Sequence, residues 1–216
     1  MTVSEEITTE QGELRKSELV QAALEIIAER GFAETRIADV AKRAGTSPAL
    51  VIYYFKTKAV LLTEAMRRAE DQWYESGAAQ VAAFDKASEQ LEEIVAMVCL
   101  PQHSASASDS WSLWLDLWAQ SARNPEVAAV RKEFDEHWRT TLSDIVLKGQ
   151  QQQEFTHVDS REFAIIFSAL LDGLAIQIAL DDPVVTNQEA FEISMRFASQ
   201  SLGFSWNASK SRHSSI

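Results

Sequence analysis

The sequence predicts an all-α fold: an N-terminal three-helix helix-turn-helix domain followed by a larger helical domain, about nine helices in total. Three observations predict it. Apolar residues recur at i, i+3, i+4 and i+7 through segment after segment, the spacing of one face of an α-helix. Helix-opening pairs recur too: Ser47-Pro48, Asn124-Pro125, Asp159 with Glu162, and Thr186 with Glu189. Glycines at positions 31 and 45 fall just past periodic runs, where a helix ends in the left-handed conformation.

The elements follow in order. Leu14 to Arg30 forms a helix on Leu19, Ala23, Ile26 and Ile27, and the polar residues 1–13 before it offer little to bury. In Thr35–Lys58, Ile37, Val40, Ala41 and Ala44 make a short helix that Gly45 stops. Ser47 caps the next one, Pro48 to Phe55, which buries Val51 and Phe55 and turns Ala49, Leu50, Tyr53 and Tyr54 outward. Such an outer face is odd for water. It suits a DNA major groove, where small and apolar groups meet thymine methyls and tyrosine hydroxyls reach phosphates or base edges. A helical hairpin inside an all-α core is the alternative; Lys42, Arg43, Lys56 and Lys58 around the outer face favour the groove.

The segment Gly31-Phe32, Thr35, Ile37 to Gly45, Ser47-Pro48, Tyr53 to Phe55, Lys58 and Leu61-Leu62 resembles the N-terminal domain of the TetR family of repressors, over about fifty residues in register. The resemblance implies a DNA-binding domain at 14–62, a ligand-binding and dimerisation domain at 63–206, tails at 1–13 and 207–216, and no catalysis. On that basis Ser47, Ala49, Leu50 and Tyr53 read bases, Arg36, Tyr54 and Lys58 hold phosphates, and Thr46 and Pro48 complete the contact surface. Two positions depart from the family pattern. Ile52 stands where many members carry a phosphate-contacting tyrosine, and Arg36 stands where a small hydroxyl residue often caps the second helix, a role Thr35 takes over here.

Composition is ordinary for a globular chain, with 46% hydrophobic residues in 216. The formal net charge of −12 suits a polyanion binder only when resolved along the chain. Glu13 to Leu62 holds 8 basic and 6 acidic side chains, leaving 12 basic and 26 acidic elsewhere. An acidic body with a near-neutral head orients the protein head-first toward DNA; equally, acidic surfaces are common in soluble proteins. The single Cys99 forms no intramolecular disulfide, and the polar, acidic N-terminus lacks the pattern of a signal peptide. No run of about 18 uninterrupted apolar residues offers a membrane span. A cytoplasmic protein without membrane contact is the expectation.

Lys58 opens a helix to about Phe84 that links head to body. Ser88 to Leu100 is helical on Leu91, Ile94, Val95 and Val98, and residues 101–110 form a polar loop. A helix from Ser110 to Ala122 carries Trp111, Trp114 and Trp118 on one face, with Trp138 on the next helix, Asn124 to about Gln152. These indoles either pack the interior or line an effector pocket suited to an apolar, aromatic or cationic molecule. Asp116 points away from Trp114. Asp172, in the most apolar helix, is either a buried polar contact with the effector or across the dimer, or an exposed aspartate on the thin polar edge beside Gly173. The runs around Trp114 to Gln120 and Leu171 to Ala175 resemble the choline-responsive BetI-like subgroup. The last two helices are apolar around most of their girth, so Phe163, Phe167, Leu170, Leu174, Ile178, Phe191, Met195 and Leu202 are expected at a homodimer interface, with a monomer core as the alternative.

Nothing points to catalysis: the four histidines share no helix face, and there is no phosphate loop or nucleophile elbow. No cofactor and no metal are expected, and Cys99 reads as a core residue with a redox sensor as the alternative. The reading is a DNA-binding transcriptional regulator that grips a pseudo-palindromic, double-stranded operator as a homodimer and is released by a small-molecule effector. The alternative is a small-molecule sequestering protein with a degenerate head.

Overall fold

In the computed structural model, residues 3–100, 107–208 and 211 are described, and among them lie nine helices and no strand. They are α1 (Val3–Glu34), α2 (Ile37–Arg43), α3 (Pro48–Phe55), α4 (Lys58–Ala82), α5 (Ala87–Cys99), α6 (Ala107–Ser121), α7 (Pro125–Gln151), α8 (Ser160–Ala179) and α9 (Asn187–Leu202). The predicted caps form. Ser47 Oγ accepts from Leu50 N, Asp159 Oδ1 from Arg161 N and Glu162 N, Thr186 Oγ1 from Glu189 N, and Asn124 Oδ1 from Glu126 N. Each satisfies N–H groups that a helix start would otherwise leave open.

Two boundaries move. The chain is helical from Val3 rather than Leu14, because adding polar residues of fair helix propensity to an established interior costs little once the nucleus exists. The helix beginning at Ala107 likewise takes up the second half of the expected 101–110 loop, whose residues 101–106 lie outside the described ones. So do residues 1, 2, 209, 210 and 212–216 of the expected tails.

The described chain forms two compact units, and the division is not linear: Met1–Trp73 goes with Ser112–Arg131, and Tyr74–Trp111 with Lys132–Ile216. The expected boundary near residue 62 therefore misses that the latter part of α6 and the start of α7 belong with the head.

In the first unit, Leu19, Ile26 and Ile27 of α1, Val40 and Ala41 of α2, and Val51 and Phe55 of α3 are buried. Gly45, at φ 60, reverses the chain between α2 and α3 while Thr46 N donates to Ala41 O at 2.8 Å. Arg43 forks onto Glu29 at 2.8 and 2.9 Å and reaches Glu25 at 3.1 Å, fastening α2 to α1. α1 breaks at Gly31, whose φ 79 and ψ 162 only glycine adopts without strain.

In the second unit, α5, α7, α8 and α9 share one core that includes Leu91, Val95, Leu142, Phe167, Phe191 and Met195. Phe163, Phe167 and Phe197 stack in it, with ring centroids 5.2 to 6.3 Å apart. α8 has the length and composition of a membrane span, at mean hydropathy 1.7, although its apolar run is interrupted; Phe163, Phe167, Leu171 and Leu174 commit it to this core instead.

That packing corrects the expected interface. Phe163, Phe167, Leu174, Phe191, Met195 and Leu202 are buried within the chain, and Leu170 and Ile178 pack against the same core partly buried. A helix apolar all round has two faces to place, and the phenylalanine face goes to the chain's own α5 and α9. The large apolar side chains that α8 leaves exposed are Ile165 and Ile166, at 49% and 48%.

Candidate nucleic-acid interface

α3 is a short helix held at both ends. Ser47 caps its start, and at its far end Lys56, with φ 61, donates from Nζ to Tyr53 O at 2.9 Å and lies over the Tyr53 ring. Burial of Val51 and Phe55 fixes which side faces out. Ser47, Pro48 and Ala49 are exposed, Thr46, Leu50 and Tyr54 half-buried, and Tyr53 and Ile52 are 67% and 51% exposed. Tyr53 stands edge-on to Tyr54 at 5.3 Å, so each ring limits the other's rotation. The sequence reading placed Ala49 and Tyr53 on this surface and Lys56 at its rim but left out Ile52. Its signal was the helical spacing of Ala49, Ile52 and Lys56 (i, i+3, i+7), passed over because Ile52 was weighed only as a lost tyrosine.

The cations differ from expectation. Arg36 is exposed at the N-cap of α2 and Lys42 is exposed in its last turn; among the described residues neither side chain has a hydrogen bond or ion pair. Thr35 does not cap α2: it is buried, and its hydroxyl donates to Gly31 O at 2.8 Å. Lys58 is not a free phosphate clamp. Its ammonium donates to Ala33 O at 3.0 Å and sits 4.3 Å from the centre of the Phe32 ring, and burial pushes its pKa below the usual lysine value.

Of the expected effector residues, Trp114 and Trp118 lie in the first unit with ring centroids 6.4 Å apart. Trp111, Trp138 and Asp172 belong to the second, all half-buried, and Trp138 packs against the core of that unit. Cys99 is a core residue. Burial pushes its thiol up to about 12, well above an ordinary cysteine, so almost no thiolate forms at neutral pH. The sign is fixed by the neutral form being favoured in the fold: the contribution is complete below pH 9 and is lost as pH rises toward 12. At pH 8 the native chain is therefore expected to resist thiol alkylation, and to react at the rate of a free cysteine only when unfolded in guanidinium; native labelling on that fast time scale would contradict the burial.

A short helix capped by serine, turned outward with tyrosine, alanine and isoleucine, and braced by two helices through a glycine turn defines a helix-turn-helix DNA-binding regulator. Residues 19–65 match the bacterial regulatory proteins of the tetR family, and residues 87–203, more than half of the chain, match the C-terminal domain of BetI-type transcriptional repressors. The chain belongs to the TetR family, with a BetI-type C-terminal domain. It is 28% identical over 191 residues to the transcriptional regulator BetI of Escherichia coli K12, covering 88% of this chain and 94% of that one. BetI of Cronobacter sakazakii is 26% identical over 189 residues, with 88% and 91% covered. Among solved structures, a transcriptional regulator of Saccharomonospora viridis in complex with choline superposes with a TM-score of 0.78 at 29% identity, covering 88% of this chain and 98% of that one. The chain is accordingly a ligand-responsive DNA-binding transcriptional regulator.

Proposed function

We propose that this regulator is a repressor that binds a pseudo-palindromic operator as a homodimer and lets go when a quaternary ammonium compound of the choline type occupies the indoles of α6. The observation that carries the DNA half is the outward face of α3, where Ala49, Ile52 and Tyr53 are exposed while Val51 and Phe55 anchor the helix from behind. Ala49 and Ile52 offer methyl groups to thymines, and the exposed Arg36 and Lys42 of the neighbouring helix supply cations for phosphates. Two heads one helical turn of DNA apart, about 34 Å, multiply a weak single contact into a tight one. The effector half rests on the Trp114–Trp118 pair and on the choline held by the Saccharomonospora viridis relative. Indole faces attract a quaternary ammonium head, which has no N–H to donate.

The test is a selection of bound duplexes from a random pool, followed by titration of the winning sequence at two salt concentrations with and without choline. Tyr53→Ala is expected to relax preference at one or two base pairs, each worth about 1–3 kcal/mol. Arg36→Ala is expected to weaken every sequence alike and lower the salt slope by about 1. Lys58→Ala is expected to leave that slope in place and to destabilise the head instead, since its ammonium already has the Ala33 carbonyl. Failure to enrich any sequence would favour the sequestering reading.

A further inference from the structure

The break in α1 at Gly31 leaves the backbone N–H of Phe32 without the helical carbonyl it would otherwise use. Its acceptor is a carboxylate 84 residues away: Phe32 N donates to Asp116 Oδ2 at 2.6 Å. Room for that oxygen exists because residue 31 lacks a side chain, since a Cβ there would stand 3.2 Å from Asp116 Oδ2. The same short segment takes a second grip. Lys58 Nζ donates to Ala33 O and covers the Phe32 ring, and Lys58 opens α4 three residues past the end of α3. Gly31–Ala33 is thus a junction at which α6, through Asp116, and α4, through Lys58, both hold the head. Asp116 sits between Trp114 and Trp118 in sequence, on the one helix that carries both the indole pair and this contact.

We infer that Asp116 is the positioning residue through which α6 delivers its ligand signal to the DNA-binding head. This rests on the effector reading above and adds the route. A ligand that turns or slides α6 carries the carboxylate with it, and a hydrogen bond of 2.6 Å to a backbone N–H that has no helical carbonyl draws Phe32 along rather than slipping. Phe32 and Ala33 then shift Lys58 and with it the start of α4, just beyond α3. The coupling needs an acceptor at this place, not a negative charge as such. An asparagine keeps an oxygen there and an alanine does not.

The experiment compares wild type, Asp116→Asn and Asp116→Ala as full-length chains, using the selected operator with choline as the probe ligand. Wild type is expected to lose operator affinity by about 10-fold or more when choline binds, within the usual span of allosteric couplings. Asp116→Asn should behave like wild type. Asp116→Ala should change by less than about 3-fold while still binding choline, and operator DNA should no longer weaken its choline affinity, because coupling is reciprocal. Backbone amide exchange at Phe32 should be faster in Asp116→Ala and restored in Asp116→Asn, a readout that stands even if the alanine chain is less stable. Equal responses from wild type and Asp116→Ala would overturn the inference alone. A wild-type chain that binds its operator and ignores choline would overturn the effector reading, and this route with it.

Discussion

Phe167→Ala is expected to destabilise the chain by about 3–5 kcal/mol, the largest single-residue effect in the second unit. Phe167 is fully buried and stacks on Phe163 at 5.2 Å and on Phe197 at 6.0 Å, so its ring joins α8 to α9. Truncation removes the transfer free energy of a benzyl group and leaves a cavity bounded by aromatic rings. Those rings cannot collapse into the void without giving up the stacking of Phe163 on Phe197 at 6.3 Å. For a domain of this size each kcal/mol lowers the melting temperature by roughly 2–4 °C, which puts the expected drop near 10 °C. Equilibrium unfolding in urea checks it: the midpoint should fall with the slope unchanged, the sign of lost stability rather than altered compactness. A loss under about 1 kcal/mol would mean that this ring faces something other than the chain's own core.

That prediction is also where sequence and structure part. Local signals were legible because they act over three or four residues: the caps at Ser47, Asn124, Asp159 and Thr186, the stop at Gly45, and the buried pair Val51 and Phe55. What depended on distant partners was not. α8 is apolar on most of its surface, and periodicity cannot say which side meets α5 and α9 and which meets another molecule. Lys58 carries no local mark that its ammonium will find Ala33 O, 25 residues back, rather than a phosphate. Helical spacing turns Asp116 away from Trp114 but cannot name its destination, Phe32 N, which is the product of the whole unit. Residues 112–131 join the head for the same reason: no composition shift marks them, only the packing of the first unit.

If the chain pairs as the proposed homodimer, the double substitution Ile165→Asp, Ile166→Asp is expected to turn that dimer into monomers and to reduce operator affinity by about 100-fold or more. Both side chains are half-exposed on α8 while Phe163 and Phe167 beside them are buried, so the change leaves the chain's own core untouched. The exposed half of this isoleucine pair on the most apolar helix meets water in a single chain, and burial against a second copy removes that contact. In a two-fold interface each substitution occurs twice, placing four carboxylates close together in a dry seam, where each like-charged neighbour and lost hydration shell opposes pairing. Operator affinity follows because the second head binds at the effective concentration set by the first; separated heads forfeit that gain of 10²–10⁴. Sedimentation equilibrium reads the first effect, as a fall from twice the chain mass to the 24.1 kDa of one chain, and binding to full and half operators reads the second. The half-site affinity should not change, since Ile165 and Ile166 lie far along the sequence from α3 and in the other compact unit. A variant that keeps twice the chain mass would move the pairing surface off this face of α8, and with it the assignment of which apolar side chains the dimer uses.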